Sequence, residues 1–210
     1  MCNLYRQRSG PQAIMDAARA MRSDVGNLAP GDIYPDYSAP IVRWDGGERI
    51  LTTARWGLPS PAFALEGKKT DKGVTNVRNL ASPHWRSRQS VAHRCLVPFT
   101  AFSEPGRDAE GKYQPVWFRL AGDDPEPLAF FAGLFVPQWT SVRKVKTGPE
   151  TLDLFGFLTT EPSEPVKSVH PKAMPVILTE PEEIEAWMNA PWEIARELQR
   201  ALPDEALMVI

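Results

Sequence analysis

Prolines interrupt this chain so regularly that its helices and strands must be short. The 210 residues include 21 prolines, roughly twice the average share of about 5%. Many of them stand at the edges of apolar runs, where a residue without a backbone N–H ends a strand or opens a turn. The spacing therefore predicts a turn-rich protein built from short strands, and not a disordered chain.

Length and composition fit one globular domain, which we predict to span residues 1–210. Apolar residues make up 42% of the chain and charged residues 24%, so a substantial core can form. No apolar run approaches a membrane span, and the first ten residues lack the apolar stretch of a signal peptide. Two cysteines make no disulfide framework. We expect a cytoplasmic monomer without membrane association.

Helices are predicted near both ends of the chain. Residues 11–22 are rich in alanine and place Ile14, Ala17, Ala18 and Met21 on one face. Near the other end, helices are predicted over 181–189 and 190–201.

The centre of the chain is typical of short strands separated by turns. Asp45-Gly46-Gly47 between two apolar runs is a strong hairpin signal, whereas 55–73 and 141–149 are expected to be loops. Strands and helices do not alternate as a parallel sheet requires. We therefore predict an α+β fold with an antiparallel, barrel-like β core and peripheral helices. The predicted strands are 41–44, 49–53, 95–98, 101–103, 115–120, 128–135, 151–160, 174–178 and 207–210.

Charge is unevenly distributed although the net charge is only −2. Residues 41–100 hold ten Lys and Arg against four Asp and Glu, whereas residues 161–210 hold four against ten. Arginine dominates the basic segment, and its planar fork suits bidentate contacts with phosphate. The pattern favours a polyanion as partner, with Arg86 and Arg88 as candidate contacts. A basic face that merely meets solvent is the alternative.

Cys2 is the most reactive candidate residue. If Met1 is removed, Cys2 carries a free α-amine and a thiol on adjacent carbons. The amine can condense with an aldehyde, and the thiol can then close a five-membered thiazolidine on the same carbon. An α-amine has a reference pKa of about 7.7–8.0, so a good fraction is neutral and nucleophilic at physiological pH. A small residue at position 2 is also common without any such role.

Polar residues interrupt apolar segments at three further places. Glu104 ends an apolar run, where partial burial would raise its pKa and suit it to general acid and base catalysis. His170 lies in a proline-flanked loop and can donate to an oxygen or carry a proton near neutral pH. Asn76 and Arg78 alternate along an extended segment, so one can orient a nucleophile while the other holds a phosphate. Each of them alone is more often an ordinary surface residue.

A metal site is poorly supported, and no cofactor is expected. His84, His93 and Cys95 are the only clustered ligand types, and their spacing matches no zinc pattern. The chain has no phosphate-binding loop, dinucleotide fingerprint or nucleophile elbow. Cys95 stands among apolar residues and is predicted to be a buried core thiol.

Taken together, these segments resemble the SOS response-associated peptidase (SRAP) family. Their order matches over nearly the whole chain, and the ordered set is specific although each piece alone is weak. The matching pieces are Met1-Cys2, Arg55-Trp56-Gly57-Leu58-Pro59, Asn76-Val77-Arg78, Arg94-Cys95-Leu96-Val97-Pro98, Phe102-Ser103-Glu104, Phe131-Ala132-Gly133-Leu134, Thr159-Thr160-Glu161 and His170 ahead of Met174-Pro175-Val176-Ile177-Leu178.

The resemblance implies a protein that shields abasic sites in single-stranded DNA during the SOS and DNA damage response. Cys2 would form the thiazolidine crosslink with the aldehyde of the opened sugar, after autoproteolytic removal of Met1. Glu104 would assist ring opening and proton transfers, in a lyase-like manner. His170 would act on the sugar hydroxyl or the Schiff base, and Asn76 would position the amine.

The resemblance also implies DNA contacts and a nucleoid-associated fraction when DNA is bound. Arg78 would hold a phosphate beside the lesion, and Trp56 would wedge or stack against a base. The chain departs from the usual family pattern at Pro105 and at 171–173, beside two of the implied site residues. Two other functions stay open, namely a cysteine-type or N-terminal-nucleophile hydrolase and a noncovalent single-strand binder.

Overall fold

Strands outnumber helices in the computed structural model, which describes residues 2–210. The strands are β1 Leu4–Gln7, β2 Arg22–Ser23, β3 Gly31–Ile33, β4 Ser38–Asp45, β5 Glu48–Trp56, β6 Asn76–Val77, β7 Arg94–Phe99, β8 Ala101–Arg107, β9 Tyr113–Leu120, β10 Ala129–Val142, β11 Pro149–Thr160, β12 Met174–Pro175, β13 Ile177–Leu178 and β14 Leu207–Val209. The helices are α1 Pro11–Ala18, α2 Ala62–Leu65, α3 Pro83–Arg86, α4 Glu164–Lys167, α5 Pro181–Asn189 and α6 Trp192–Ala195. Short 3₁₀ turns cover Val91–His93, Arg196–Leu198 and Asp204–Ala206.

Five strands close into a barrel. They pair in the order β11, β10, β7, β4 and β5, and β5 then pairs back with β11. Only that last pairing of the ring is parallel, because the other four are antiparallel neighbours. Closing the ring removes the exposed edges that an open sheet would leave. The predicted α+β class with a barrel-like antiparallel core is confirmed.

A second sheet packs against one face of the barrel strands. Its strand order is β14, β9, β8, β1 and β3, and all its pairings are antiparallel. Tyr5 from this sheet meets Phe131 of the barrel edge-to-face, with ring centroids 5.6 Å apart. Fully burying an aromatic or aliphatic side chain stabilises the fold by about 1.5–3 kcal/mol. Because strand side chains alternate, Phe130 and Leu96 belong to a separate cluster with α1 and α5.

The helices are shorter than predicted, except for α5. The first helix stops at Ala18 because Arg19 adopts a left-handed conformation with φ of 50°, and Met21 is 75% exposed rather than buried. Helix α5 spans 181–189 as predicted, and a capping box satisfies its first turn. The helix predicted over 190–201 is reduced to α6 and a 3₁₀ turn, since Pro191 cannot continue α5.

Most predicted strands are confirmed, and two loop predictions need correction. The hairpin at Gly46 and Gly47 is present, and both glycines have positive φ. The loop expected over 141–149 is narrower, because β10 and β11 form one long hairpin that leaves 143–148 as its turn. The segment 55–73 holds α2. No helix within 2–210 has the length and apolar character needed to cross a bilayer.

Gly73 closes a tight contact around a buried arginine. Arg143 is 3% exposed and donates to the carbonyl oxygen of Gly57 and, at 3.4 Å, to that of Asp71. Gly73 has φ of +78°, and a Cβ there would collide with the Arg143 guanidinium and lie 2.9 Å from the Gly57 Cα. No side chain fits this position without movement of backbone.

Gly73→Ala is therefore expected to lower the free energy of unfolding by about 2–4 kcal/mol, from left-handed strain plus overpacking. Gly46→Ala is the matched control, since Gly46 also has positive φ but no atom within 4 Å of the added Cβ. That variant should lose only about 1–2 kcal/mol. Urea unfolding of both proteins measures the difference, and equal losses would contradict the packing argument.

Candidate active site

Cys2 is fully buried directly ahead of β1. Strand β1 pairs with β8 so that Leu4 lies opposite Ser103, which brings the start of the chain beside Glu104. Cys2 is 0% exposed, and its thiol lies 3.5 Å from the carbonyl oxygen of Leu4, to which it donates. Burial raises the pKa of the Cys2 thiol, and the charge of Glu104 raises it further. The thiol is therefore protonated near neutral pH.

Asn76 holds the Cys2 backbone in place. Strand β6 pairs in parallel with β11, with Asn76 opposite Phe157. The Asn76 Nδ2 donates to the Cys2 carbonyl oxygen at 2.9 Å and to the Thr75 hydroxyl at 2.8 Å. Asn76 is 9% exposed, so these bonds form in a nearly dry setting where an unpaired polar group would be costly. The side chain thus positions the residue that carries the thiol.

Glu104 and His170 form a pair from two separate parts of the chain. Glu104 comes from β8 and His170 follows α4, where its N–H donates to the Val166 carbonyl at 2.7 Å. The His170 Nδ1 lies 3.3 Å from Glu104 Oε2 and 3.1 Å from the Ala173 carbonyl oxygen. Both neighbours are acceptors, so the geometry favours a proton on Nδ1.

Burial sets the protonation of this pair. Glu104 is 1% exposed, and burial raises the pKa of its carboxyl to about 7. Burial also lowers the pKa of His170, so the imidazole tends toward its neutral form. A carboxyl that titrates near neutral pH can give a proton in one step and take one back in the next. The arrangement therefore suits a reaction with consecutive proton transfers.

Arg78 lies at the surface beside this cluster. Its guanidinium forms an ion pair with Glu161 and donates to the Lys172 carbonyl oxygen at 3.3 Å. The Glu161 side chain is 79% exposed, so the pair is weak and easily exchanged. Arg78 can thus turn to another anion without leaving a buried charge behind.

Trp56 does not offer a ring face to a base. It is 1% exposed, its ring stacks on Phe157 with centroids 5.2 Å apart, and its Nε1 donates to the Thr75 carbonyl oxygen at 3.1 Å. The expected wedge or stacking role therefore does not fit this structure, because the ring lies inside the core. Trp56 instead holds the backbone at Thr75, next to Asn76.

Arg86 is the last residue of α3, and Arg88 follows the helix. Arg86 is exposed and donates to the Ala81 carbonyl oxygen at 3.2 Å. Arg88 donates to the His84 carbonyl oxygen at 2.5 Å and lies 5.8 Å from the centre of the Trp139 ring. The structure leaves both guanidinium groups near the surface, where a phosphate chain can reach them.

Gln199 is a supporting residue that the sequence did not indicate. Its Nε2 donates to the Arg78 carbonyl at 2.8 Å and to the Thr159 carbonyl at 2.9 Å. It thereby ties the segment after Asn76 to the end of β11. A glutamine in a predicted helix carries no signal of this role, because the contact depends on a chain separation of 121 residues.

Two clefts flank the buried cluster. One of about 220 Å³ is bordered by Asn3, Leu4 and Ser103, the neighbours of Cys2 and Glu104. The other, of about 440 Å³, reaches Val169, the residue before His170. Both clefts share Pro105 and Tyr113, with Tyr113 67% exposed. Within residues 2–210, three or more potential ligand side chains do not gather anywhere as a metal site.

The fold and the site define an α+β protein with a closed five-stranded barrel, a buried cysteine at the start of the chain, and a buried carboxyl that faces a partly buried imidazole. The chain belongs to the SOS response associated peptidase (SRAP) family, whose sequence pattern matches residues 1–209. The family resemblance predicted from the sequence is thus confirmed. A comparison with curated protein sequences finds no match.

Solved structures share this fold at low sequence identity. A Bordetella bronchiseptica protein has a TM-score of 0.71 at 23% identity, covering 99% of this chain and 98% of its own. A Bacteroides thetaiotaomicron protein has a TM-score of 0.71 at 21% identity, covering 99% and 90%. A phage-related protein from Bordetella bronchiseptica has a TM-score of 0.70 at 20% identity, covering 100% and 93%. At sequence identities this low, the similarity shows a shared fold and nothing more.

Proposed function

We propose that this protein captures abasic sites in single-stranded DNA by forming a covalent thiazolidine through Cys2. The observation that carries the proposal is the buried cluster in which Asn76 holds Cys2 and the Glu104 carboxyl faces His170. An abasic site in its ring-opened form is an aldehyde, the electrophile that an aminothiol captures. Such capture would protect the lesion as part of the DNA damage response.

Capture requires removal of Met1. The Cys2 nitrogen belongs to a peptide bond while Met1 precedes it, and an amide nitrogen does not condense with aldehydes. Hydrolysis of the Met1–Cys2 bond would consume one water, release methionine and free the α-amine. The word peptidase in the family description supports this step.

The chemistry needs one carboxyl that both gives and takes protons. The neutral Cys2 amine adds to the aldehyde carbon, and protonated Glu104 donates to the hydroxyl that leaves as water. The thiol then adds to the carbon of the protonated imine, and its proton passes to the Glu104 carboxylate, which restores the carboxyl and leaves a neutral N–H in the ring. One C–N bond and one C–S bond form, and one water leaves. During ring opening, the unprotonated Nε2 of His170 would accept the proton of the sugar C1′ hydroxyl while Glu104 protonates the ring oxygen. The extra proton on His170 would then return to the Glu104 carboxylate across their 3.3 Å contact.

The surface beside the cluster suits a strand of DNA. Arg78 would exchange Glu161 for a phosphate next to the lesion, and Arg86 and Arg88 would meet phosphates further along. Burial of Cys2 and Glu104 requires the lesion to leave the base stack, which a single strand allows at little cost. We propose that the protein acts as a monomer in the cytoplasm and joins the nucleoid when bound to DNA.

Peptide hydrolysis on other substrates is less well supported. A cysteine hydrolase attacks with a thiolate, whereas burial raises the pKa of the Cys2 thiol. Thiazolidine closure tolerates a protonated thiol, because the attack falls on an activated imine. A noncovalent binder would not need the Cys2–Asn76 contact at all.

A denaturing gel tests the proposal. Protein whose mass shows that Met1 is absent is incubated with a single strand carrying one abasic site. A band that survives denaturation with this strand, and not with an intact strand, is the expected result. Loss of all binding on denaturation would overturn covalent capture, and cleavage of added peptides would favour the hydrolase instead.

Asn76→Ala should slow capture about tenfold to a hundredfold, because the Cys2 backbone loses the bond that orients its amine. Asn79→Ala is the matched control, since Asn79 is exposed and its side chain accepts from the nearby Ala81 N–H. That variant should capture at the wild-type rate. The rate of gel-band formation measures both, and equal rates would remove Asn76 from the proposed site.

A further inference from the structure

Two neighbouring clefts, neither of them lined by Cys2, Asn76, Glu104 or His170, adjoin each other, and we treat them together as one groove. They share Arg86, Gln89 and Trp192 as a common wall. One cleft, of about 500 Å³, extends to Arg94, and the other, of about 420 Å³, extends to Gln199. The groove runs between the segment around α3 and the segment of α6, and we call it the α6 groove.

Arg94 gives the groove a buried positive charge. It is 1% exposed, its Nε donates to the Gln89 carbonyl, and its Nη1 donates to the carbonyls of Trp187 and Ala190. Its Nη2 makes no hydrogen bond to residues 2–210. In this part of the chain no carboxylate lies within ion-pair distance, although Glu193 lines the same cleft. Backbone carbonyls and tryptophan rings hold this guanidinium, so its positive charge favours an anion in the cleft.

Trp192 places an aromatic ring between the two clefts. The Arg94 guanidinium carbon lies 5.5 Å from the centre of that ring, and Arg86 lines both clefts beside it. Arg196 and Glu197 in the wall pair with each other at 3.2 Å. An aromatic platform with arginines on either side is the arrangement that binds single-stranded nucleic acid with little regard to sequence.

The α6 groove is continuous with the proposed capture site. Gln199 borders the groove and donates to the carbonyl oxygen of Arg78, two residues after Asn76. A DNA strand that places one phosphate at Arg78 and continues toward Gln199 therefore enters the α6 groove there. Arg86 and Arg196 both line that part of the groove.

We propose that the α6 groove binds the DNA strand on one side of the lesion, with a base stacked on Trp192, a phosphate at Arg86, and Arg94 as a buried positive charge behind the groove wall. This inference rests on the proposed capture of abasic sites, whose strand it extends. The ligand assigned to the groove is single-stranded nucleic acid, and the strand runs from Arg78 past Gln199 into the groove. Binding should gain from a longer strand on that side alone.

The test uses single strands with one tetrahydrofuran residue, an abasic analogue without an aldehyde, extended by thymidines on one side or the other. Fluorescence anisotropy of the processed protein should show that only one extension tightens binding. Trp192→Ala should bind that extended strand about tenfold or more weakly than wild type. Its affinity for the short strand should not change. Trp192→Phe should recover most of the affinity for the extended strand.

Two further variants separate the phosphate contact from folding. Arg86→Ala should reduce the slope of log affinity against log salt by about 0.7 on the extended strand. Because the Arg86 side chain is exposed, its removal should leave the fold intact, and misfolding would not account for a weaker salt dependence. Arg8→Ala is the control, since Arg8 is 44% exposed, pairs with Glu126 and does not border the groove. Thermal unfolding confirms that the Trp192 variants fold.

Either proposal can fail without the other. If wild type forms the gel band with natural abasic sites but extension on either side changes nothing, the groove inference is wrong and capture stands. If extension depends on Trp192 and Arg86 but no covalent band forms, the groove stands and capture is wrong. Equal gains from both extensions, or variants that match wild type, would also overturn the groove inference.

Discussion

Glu104→Gln is expected to slow capture of an abasic site by about 100- to 10,000-fold, the usual contribution of one general acid and base. Glutamine keeps the shape of the side chain but can neither release nor accept a proton. The loss should fall on the rate of band formation and not on binding of the tetrahydrofuran strand. Quenched time courses on a denaturing gel measure the rate.

The pH dependence of that loss follows from the raised pKa of Glu104, about 7. Expulsion of water needs the protonated carboxyl, which disappears as the pH rises through about 7. The Cys2 amine gains nucleophilicity over the same range, but equally in both proteins. The ratio of the wild-type rate to the Glu104→Gln rate should therefore fall as the pH rises through about 7.

Glu161→Gln is the matched control for this substitution. Glu161 is exposed and pairs with Arg78, so the same chemical change occurs nearby without touching the buried cluster. Its rate should stay within about threefold of wild type, as expected for an exposed ion pair. A Glu104→Gln rate equal to that of Glu161→Gln would show that Glu104 takes no part in proton transfer.

Cys2→Ala should abolish the denaturation-resistant band entirely while leaving a trappable intermediate. After removal of Met1, the alanine at position 2 still has an α-amine that condenses with the aldehyde, but no thiol closes the ring. The imine hydrolyses on denaturation, so no band is expected. Borohydride added during the reaction should reduce the imine to a stable amine and restore the band.

Cys95→Ala tests whether the crosslink requires the Cys2 thiol in particular or any thiol of the protein. Cys95 is 0% exposed, and burial raises the pKa of its thiol, so it has no access to DNA. This variant should form the band without borohydride, apart from some loss of stability from the cavity. A band in Cys2→Ala without borohydride would assign the crosslink to another residue.

Local sequence signals predicted much of the fold. The paired glycines after Asp45 specify a hairpin whatever surrounds it, and α5 begins at a proline with acidic residues in its first turn. The extent of α1 and the closure of the barrel were harder to predict. Closure depends on β5 returning to pair with β11 across a large separation, which no local pattern encodes.

The candidate site was predicted in its residue types more than in its packing. Cys2, Glu104 and His170 stood out because their chemistry contrasts with their surroundings. The pairing of Glu104 with His170 depends on long-range folding, and so does the support from Gln199. Trp56 was assigned to DNA because aromatic rings suit both bases and cores, and only burial distinguishes the two.

The most direct test of thiazolidine formation counts free thiols in the adduct. The chain has two cysteines, and the purified adduct is denatured, alkylated with iodoacetamide and weighed without reductant. A thiazolidine consumes the Cys2 thiol, so one alkylation, mapped to Cys95, is predicted. Two alkylations would show that the Cys2 thiol is free in the adduct and would contradict the proposed crosslink.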